Sequence, residues 1–366
     1  MARGDAPITG VRARAYTIPT DKPEADGTFA WDSTTLVVVH VAGGGKTGLG
    51  YTYTHGSIVA LIESAMTKAV TGVDAMDTSG AFAAMQRAVR NMGRQGLAAT
   101  AISAVDAALW DLKAKLLDLP LCTLLGCARD SVPIYGSGGF TTYSLDELEQ
   151  QLTGWVARDG CRFVKMKIGT HPRDDATRVA KARIAIGERA TLFVDANGAY
   201  TVKQALAQAS AFAAYNVGWF EEPVSSDDLA GLRLLRERAP DCMDIAAGEY
   251  GYETDYYRRM LAANAVDVVQ ADVTRCGGVT GFLRVAALAD AHHTDLSGHC
   301  APALHLHAAC AAPRLRHLEW FHDHVRIEHM LFDGAPDPKD GGIAPDLTRP
   351  GPGLIFTERD AARFAS

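Results

Sequence analysis

The sequence predicts an α/β protein: a (β/α)₈ TIM-type barrel behind an N-terminal α+β capping domain. From about residue 130 one unit keeps returning, a short apolar run, a polar residue at its C-terminal end, then a helix-length segment. The unit occurs eight times over roughly 190 residues, the count a closed parallel barrel needs. The rival doubly wound sheet would place a glycine-rich phosphate turn after its first strand, and "VPIYGSGGFTTYS" is not one.

The capping domain comes first, over residues 1–129. "TTLVVVHVAGGGKTGLGYTYTHG" reads as a strand, a glycine turn and a second strand, a hairpin pattern. Its "AGGGKTGLG" (42–50) imitates a P-loop, but His40 stands where that motif needs its first glycine. A tight turn is the better reading. Helices follow, including residues 100–119, in which Ile102, Val105, Ala108, Leu109 and Leu112 form one apolar stripe.

The barrel is expected over residues 130–320. Its strand runs are "VPIYGSGG" (132–139), "RFVKMKIG" (162–169), "TLFVDANG" (191–198), "WFEEPV" (219–224), "DIAAGE" (244–249), "AVDVVQAD" (265–272), "TDLSGH" (294–299) and "RHLEW" (316–320). Amphipathic, alanine-rich stretches such as "TVKQALAQASAFAAYN" separate them. The tail, residues 321–366, is rich in Gly, Pro and Asp, carries no regular pattern, and is expected to pack back on the capping domain.

Composition narrows the function class. With 48% apolar and 22% charged residues the chain has an ordinary globular balance. A formal charge of −7 argues against nucleic acid or an anionic membrane as partner. No apolar stretch reaches the length of a membrane span, and "MARGDAPITG" lacks a secretory layout. Seven scattered cysteines, none in a C-x-x-C pair, suit reduced thiols. A cytoplasmic protein is expected, and a homo-oligomer.

In barrels of this kind the active site forms at the C-terminal strand ends. Those ends read Lys165 and Lys167, Asp195 and Asn197, Glu221, Glu249, Asp272, His299 and Glu319. Singly, each is an ordinary capping or solvated residue; together they describe a rim. Asp195, Glu221 and Glu249 come from three adjacent strands, and converging carboxylates repel unless a cation sits among them. Hard oxygen donors select Mg²⁺ or Mn²⁺ over zinc. Glu222 competes with Glu221 for the inward place, and alternation is taken to favour Glu221 because Glu222 then shares a face with Phe220.

Asp272 and His299 end neighbouring strands, where a carboxylate sets an imidazole's tautomer and raises its basicity. Lys165 and Lys167, spaced i, i+2, share one strand face; Lys165's like charge, partial burial and the metal are expected to lower the Lys167 pKa until a neutral amine can act as base. His305 and His307 imitate a zinc pair but lie on a helical pattern; with His292 and His293 they read as structural or surface residues.

The combination resembles the enolase superfamily, and within it the mandelate racemase subgroup. The resemblance is carried across the chain by "KMK" (165–167), "VDAN" (194–197), "EEP" (221–223), "GE" (248–249), "QADVTRCGGVTG" (270–281), "SGH" (297–299) and the Glu319 of "HLEW". It implies a small-molecule carboxylate substrate bound to Mg²⁺ on Asp195, Glu221 and Glu249, and a proton α to that carboxylate removed by Lys167 or His299. It implies further that Lys165 helps hold the carboxylate, that a protonated Glu319 donates to it, and that Asn197 meets a substrate hydroxyl.

Two capping loops, about 18–33 and 48–56, would close the mouth. Their Asp21, Lys22, Tyr51, Thr52, Tyr53, Thr54 and His55 are polar, which favours a polyhydroxy acid, with Tyr51 and His55 taken as substrate contacts. The expected reaction is dehydration of a sugar acid to a 2-keto-3-deoxy acid, with His299 expelling hydroxide. Racemisation, epimerisation and cycloisomerisation are the alternatives. Arg275, standing where many relatives have lysine, and Cys276 and Cys300 depart from the familiar pattern. A metal-dependent hydrolase would want a His-x-His near the first strand, and none is there; nothing favours a non-enzymatic barrel.

Overall fold

The structure, a computed structural model, describes residues 6–366. Three strands, β1 (Ile8–Ala25), β2 (Ala30–Gly43) and β3 (Lys46–Tyr53), form an antiparallel sheet in chain order. The helix Leu97–Leu116 packs on it, and every residue of its expected apolar stripe is fully buried.

Eight parallel strands then alternate with helices: β4 (Val132–Gly138), β5 (Phe163–Lys167), β6 (Thr191–Asp195), β7 (Val217–Glu221), β8 (Asp244–Ala247), β9 (Val268–Ala271), β10 (Asp295–Gly298) and β11 (Leu315–Phe321). β11 pairs back onto β4, which closes the barrel. Each strand overlaps one expected run. Because side chains alternate, the inward residues form two layers. The lower layer is aromatic, with Phe193 stacked on Trp219 at 5.0 Å and Tyr135, Phe163 and His317 beside them. Two residues further along the same strands stand Ser137, Lys165, Asp195, Glu221 and Glu319. The apolar plug thus floors a charged rim.

Two expectations are corrected. Residues 18–33 are not a loop: β1 and β2 stay paired as far as Pro19↔Ser33 and again at Glu24↔Trp31. Only the tip, residues 26–29, turns, and it rests on the barrel rim. A Cβ on Gly27 would meet the Ala196 carbonyl oxygen at 2.3 Å, so a glycine is required for that approach. The tail also carries a regular element, the helix His322–Leu331, whose single short apolar face was too weak a periodic signal to read. Beyond it Phe356 packs on Tyr16 of β1 at 5.2 Å, while Gly342–Ile343 pairs antiparallel with the start of β4. The tail therefore divides between the two domains.

The cap also grips the loop after β9. Asp106, on the Leu97–Leu116 helix, accepts hydrogen bonds from Thr280 N (2.9 Å) and Thr280 Oγ1 (2.7 Å), capping the helix Gly278–Ala291 from another domain. Ser103 Oγ accepts from Gly277 N at 2.9 Å, and Thr52 Oγ1 donates to the Thr274 carbonyl at 2.8 Å. The loop so held begins at Asp272.

Candidate active site

Strand register brings the first three charged residues to one level: Lys167 of β5 pairs with Asp195 of β6, and Asp195 with Glu221 of β7. Glu249 follows β8 through Gly248, whose φ of 137° and whose hypothetical Cβ, 2.2 Å from the Gln270 carbonyl, leave no room for a side chain. Ligand oxygens of Asp195, Glu221 and Glu249 lie within 4.8 Å of one another, and all three residues are buried.

Two ammonium groups sit against this row. Lys165 Nζ is 2.5 Å from Glu221 Oε1, 2.8 Å from Glu319 Oε1 and 3.4 Å from Asp195 Oδ2; Lys167 Nζ is 2.5 Å from Asp195 Oδ2. The expected depression of the lysine pKa is opposed by these carboxylates. Burial works against both charges, and Lys165 does push Lys167 down, but the carboxylates outweigh them and hold both lysines above their ordinary range. Glu319 is corrected likewise. Although burial opposes its charge, Lys165 and His299 keep it an anion, and it accepts from Ser137 Oγ (2.6 Å) and Cys300 N (3.0 Å) instead of donating.

The donor set suits a hard divalent cation. It offers oxygen alone, burial and repulsion by Asp195 push Glu221 up to about 8, and the buried Glu249 Oε2 has no hydrogen-bond partner. Glu222 leaves β7 with a left-handed backbone (φ 37°), which ends the strand alternation; its carboxyl is also buried, and burial with Glu249 nearby raises its pKa well above the usual range.

At the far end of the row His299 Nδ1 is 2.8 Å from Asp272 Oδ2, while Nε2 is 3.2 Å from Glu249 Oε2, though not aligned as a hydrogen bond. Burial disfavours an imidazolium, yet Cys300 first, then Glu249, Glu319 and the Asp272 bond hold His299 above its ordinary range. Asp272 stays ionised: burial raises it, but the His299 bond brings it to about 2. Arg275 lies 3.5 Å from Glu249 Oε1 and 3.6 Å from Asp272 Oδ2 and so links the two.

Asn197 is on the rim in a left-handed conformation (φ 46°), its Oδ1 buried without a partner. Tyr51 and His55 are taken away from the carboxylates. Tyr51 is fully buried, donates to Glu328 Oε1 at 2.6 Å and packs on Phe332. His55 is exposed at the turn after β3 and accepts from Ser57 N. Tyr53, two residues further along the same face of β3, stacks on His324 at 3.5 Å with its hydroxyl unpartnered. The polar lid is also revised: Asp21 pairs with His322 and Lys22 with Glu147, whereas Trp31 packs on the Phe140, Tyr143, Cys300 and Phe321 cluster. His305 Nε2 accepts from Val273 N and His307 Nδ1 from Cys122 N, both buried, so the apparent zinc pair is structural.

Ser137, Trp31 and His324, which adjoin the rim or its cap, were not read from the sequence as site residues, and Tyr53 only as one polar lid residue among several. The strand-end rule points to Ser137, but a search for ionisable groups passes over it. A cavity of about 780 Å³ lies elsewhere, at the opposite strand ends, lined by Pro133, Arg162, Arg316 and the tail; it holds none of these residues.

Residues 147–360 match the family described as enolase C-terminal domain-like, and residues 12–126 match the mandelate racemase / muconate lactonizing enzyme N-terminal domain. The chain belongs to the mandelate racemase/muconate lactonizing enzyme family of the enolase superfamily. Within that family it is similar to a mandelate racemase/muconate lactonizing enzyme-like protein from Rubrobacter xylanophilus, with 51% identity, a TM-score of 0.96, and coverage of 98% of this chain and 100% of that one. It is 33% identical to a 3,6-anhydro-alpha-L-galactonate cycloisomerase of Streptomyces coelicolor over 94% of this chain and 98% of that one. It is 35% identical to the L-talarate/galactarate dehydratase of Salmonella typhimurium over 72% of this chain and 67% of that one. A structure of the Salmonella dehydratase liganded with Mg and L-lyxarohydroxamate is 28% identical in the overlay and superposes with a TM-score of 0.89, covering 99% of this chain and 93% of that one. Members of this superfamily are Mg²⁺ enzymes, and the Asp195, Glu221 and Glu249 oxygens lie close enough together that they could hold such an ion. Among the described residues no helix is long and apolar enough to cross a membrane.

Proposed function

We propose that this enzyme removes the proton α to the carboxylate of a sugar acid and then eliminates the oxygen on the β carbon, the leading case being dehydration to a 2-keto-3-deoxy acid. One observation carries the reading: proton-transfer groups stand at both ends of one carboxylate row, Lys167 against Asp195 and His299 beside Glu249.

Lys167, as the free amine, takes the α proton, and the released electron pair moves into the carboxylate as an enediolate. Mg²⁺, which Asp195, Glu221 and Glu249 would hold, supplies the positive charge that stabilises those oxygens and offsets the carboxylates keeping Lys167 protonated. Lys165, anchored between Glu221 and Glu319, adds a fixed cation on the same side. As the enediolate collapses, the bond from the β carbon to its oxygen breaks. His299, kept as imidazolium by its acidic neighbours, gives that oxygen its proton. The resulting enol tautomerises to the 2-keto acid.

A second reading differs only in the leaving oxygen. If it remains tethered in a ring, the same elimination opens an anhydro sugar acid, and the relative matched over almost its whole length is a cycloisomerase. Incubation with hexonic, pentonic, dicarboxylic and anhydro sugar acids, assayed for 2-keto product, tests the reading. A keto product with loss of water supports dehydration, and a keto product of unchanged mass supports ring opening. Conversion only between stereoisomers would make the enzyme an epimerase.

A further inference from the structure

Beside the oxygen-only row, three chemically different donors meet at a second edge of the rim. They are His299 Nε2, Cys300 Sγ and Glu319 Oε2, all from buried residues. The sulfur lies 3.4 Å from Nε2 and 3.4 Å from Oε2, and Nε2 lies 3.6 Å from Oε2. A zinc ion with ordinary Zn–N, Zn–S and Zn–O bonds and tetrahedral angles holds such donors about 3.4 to 3.6 Å apart. The triangle therefore already has the dimensions of one zinc coordination face.

The local backbone maintains it. Cys300 and Ala301 both have left-handed backbones (φ 53° and 38°), uncommon for residues carrying a Cβ. The Cys300 N–H donates to Glu319 Oε2 at 3.0 Å, tying the start of this turn to the carboxylate its thiol faces. Glu319 Oε1 is engaged on its other side by Lys165 (2.8 Å) and Ser137 (2.6 Å), so Oε2 is the oxygen left toward the sulfur.

We propose that His299, Cys300 and Glu319 form a second metal site, selective for Zn²⁺ over Mg²⁺, and that zinc bound there inhibits the enzyme by occupying His299. A thiolate–imidazole pair prefers the softer, borderline zinc ion, as three carboxylates do not. Binding forms Zn–S, Zn–N and Zn–O bonds and releases the thiol proton, and any proton on Nε2, to solvent. Nε2 then has no proton to give a leaving oxygen.

The test uses the full-length enzyme saturated with Mg²⁺ and titrated with zinc. Zinc X-ray absorption of the wild type is expected to show a Zn–S shell at about 2.3 Å. Cys300→Ser and Cys300→Ala should both lose that shell and raise the zinc inhibition constant, each measured against the variant's own zinc-free rate, roughly ten-fold or more. Using two variants guards against one that fails to fold, which circular dichroism reports. A wild-type spectrum without sulfur, or equal inhibition of all three proteins, would place zinc on the Asp195–Glu221–Glu249 row and overturn the proposal. The absorption measurement needs no substrate, so it stands or falls apart from the reaction proposed above.

Discussion

His299 Nδ1 and Asp272 Oδ2 lie 2.8 Å apart across the neighbouring strand ends of β10 and β9, both residues buried. The carboxylate stays ionised there and turns Nε2 toward the carboxylate row. Asp272→Asn keeps the volume but removes the charge and favours the wrong tautomer. It is expected to lower kcat about 10²- to 10⁴-fold with a smaller change in KM. Steady-state kinetics on the preferred sugar acid checks this, and an unaltered kcat would remove the dyad from the mechanism.

Lys167 stands at the other end of the row. Lys167→Ala should leave the fold and Mg²⁺ binding intact while exchange of the substrate α proton with deuterated solvent falls by about 10²-fold or more. Proton NMR of recovered substrate reads it. Undiminished exchange in Lys167→Ala and in His299→Ala alike would end the two-base arrangement.

Crowded carboxylates make metal binding a stability effect. Magnesium at a hundred-fold excess over its Kd should stabilise the folded enzyme by about 2.7 kcal/mol. Glu221→Gln removes one negative charge from the row and should weaken that gain, seen as a smaller rise in melting temperature. An equal rise in the variant would place the ion elsewhere.

Gly27 seats the hairpin tip on the rim, where a methyl group would sit 2.3 Å from the Ala196 carbonyl and 2.7 Å from that of Ile168. Overpacking of this kind costs about 1 to 3 kcal/mol. Here the tip can lift instead of the barrel deforming, so Gly27→Ala should raise KM more than it lowers the melting temperature. The reverse pattern would show that the tip does not close over substrate.

Asp106 gives stability a pH dependence. Burial pushes its carboxyl from 3.8 up to about 7, against the lowering effect of its Thr280 bonds. The folded state thus binds a proton that the unfolded chain releases. Its contribution is complete below 3.8 and is lost as pH rises toward about 7, at a slope of at most about 1.4 kcal/mol per pH unit. Urea unfolding across that window should show a shallower decline in Asp106→Asn than in the wild type. Parallel curves would mean the carboxyl titrates normally.

Much of the site could be read before any coordinates, because a barrel converts linear order into angular order. Once "TLFVDANG", "WFEEPV" and "DIAAGE" are successive strands, the acids at their ends must be neighbours. The choice of Glu221 as an inward residue follows from the same alternation; the aromatic floor two residues below is seen only in the structure. The cap was far less legible. Tyr51 and Tyr53 have the same local pattern, and only the seating of β3 against the Phe332 and Glu328 side decides which of them turns away from the mouth. The polar hairpin residues found partners hundreds of positions distant, such as Asp21 with His322, and no local signal marks such a pair.

By itself, then, the sequence determined the strand order, which residues stand at the strand ends, and the family, since strand periodicity and chain order are legible without knowledge of packing. Tertiary structure alone decided the charge states, the lining of the lid and the meeting of His299, Cys300 and Glu319. Each of these depends on distances of a few ångströms between segments remote in the chain, and on burial, which strengthens whatever charge lies nearest.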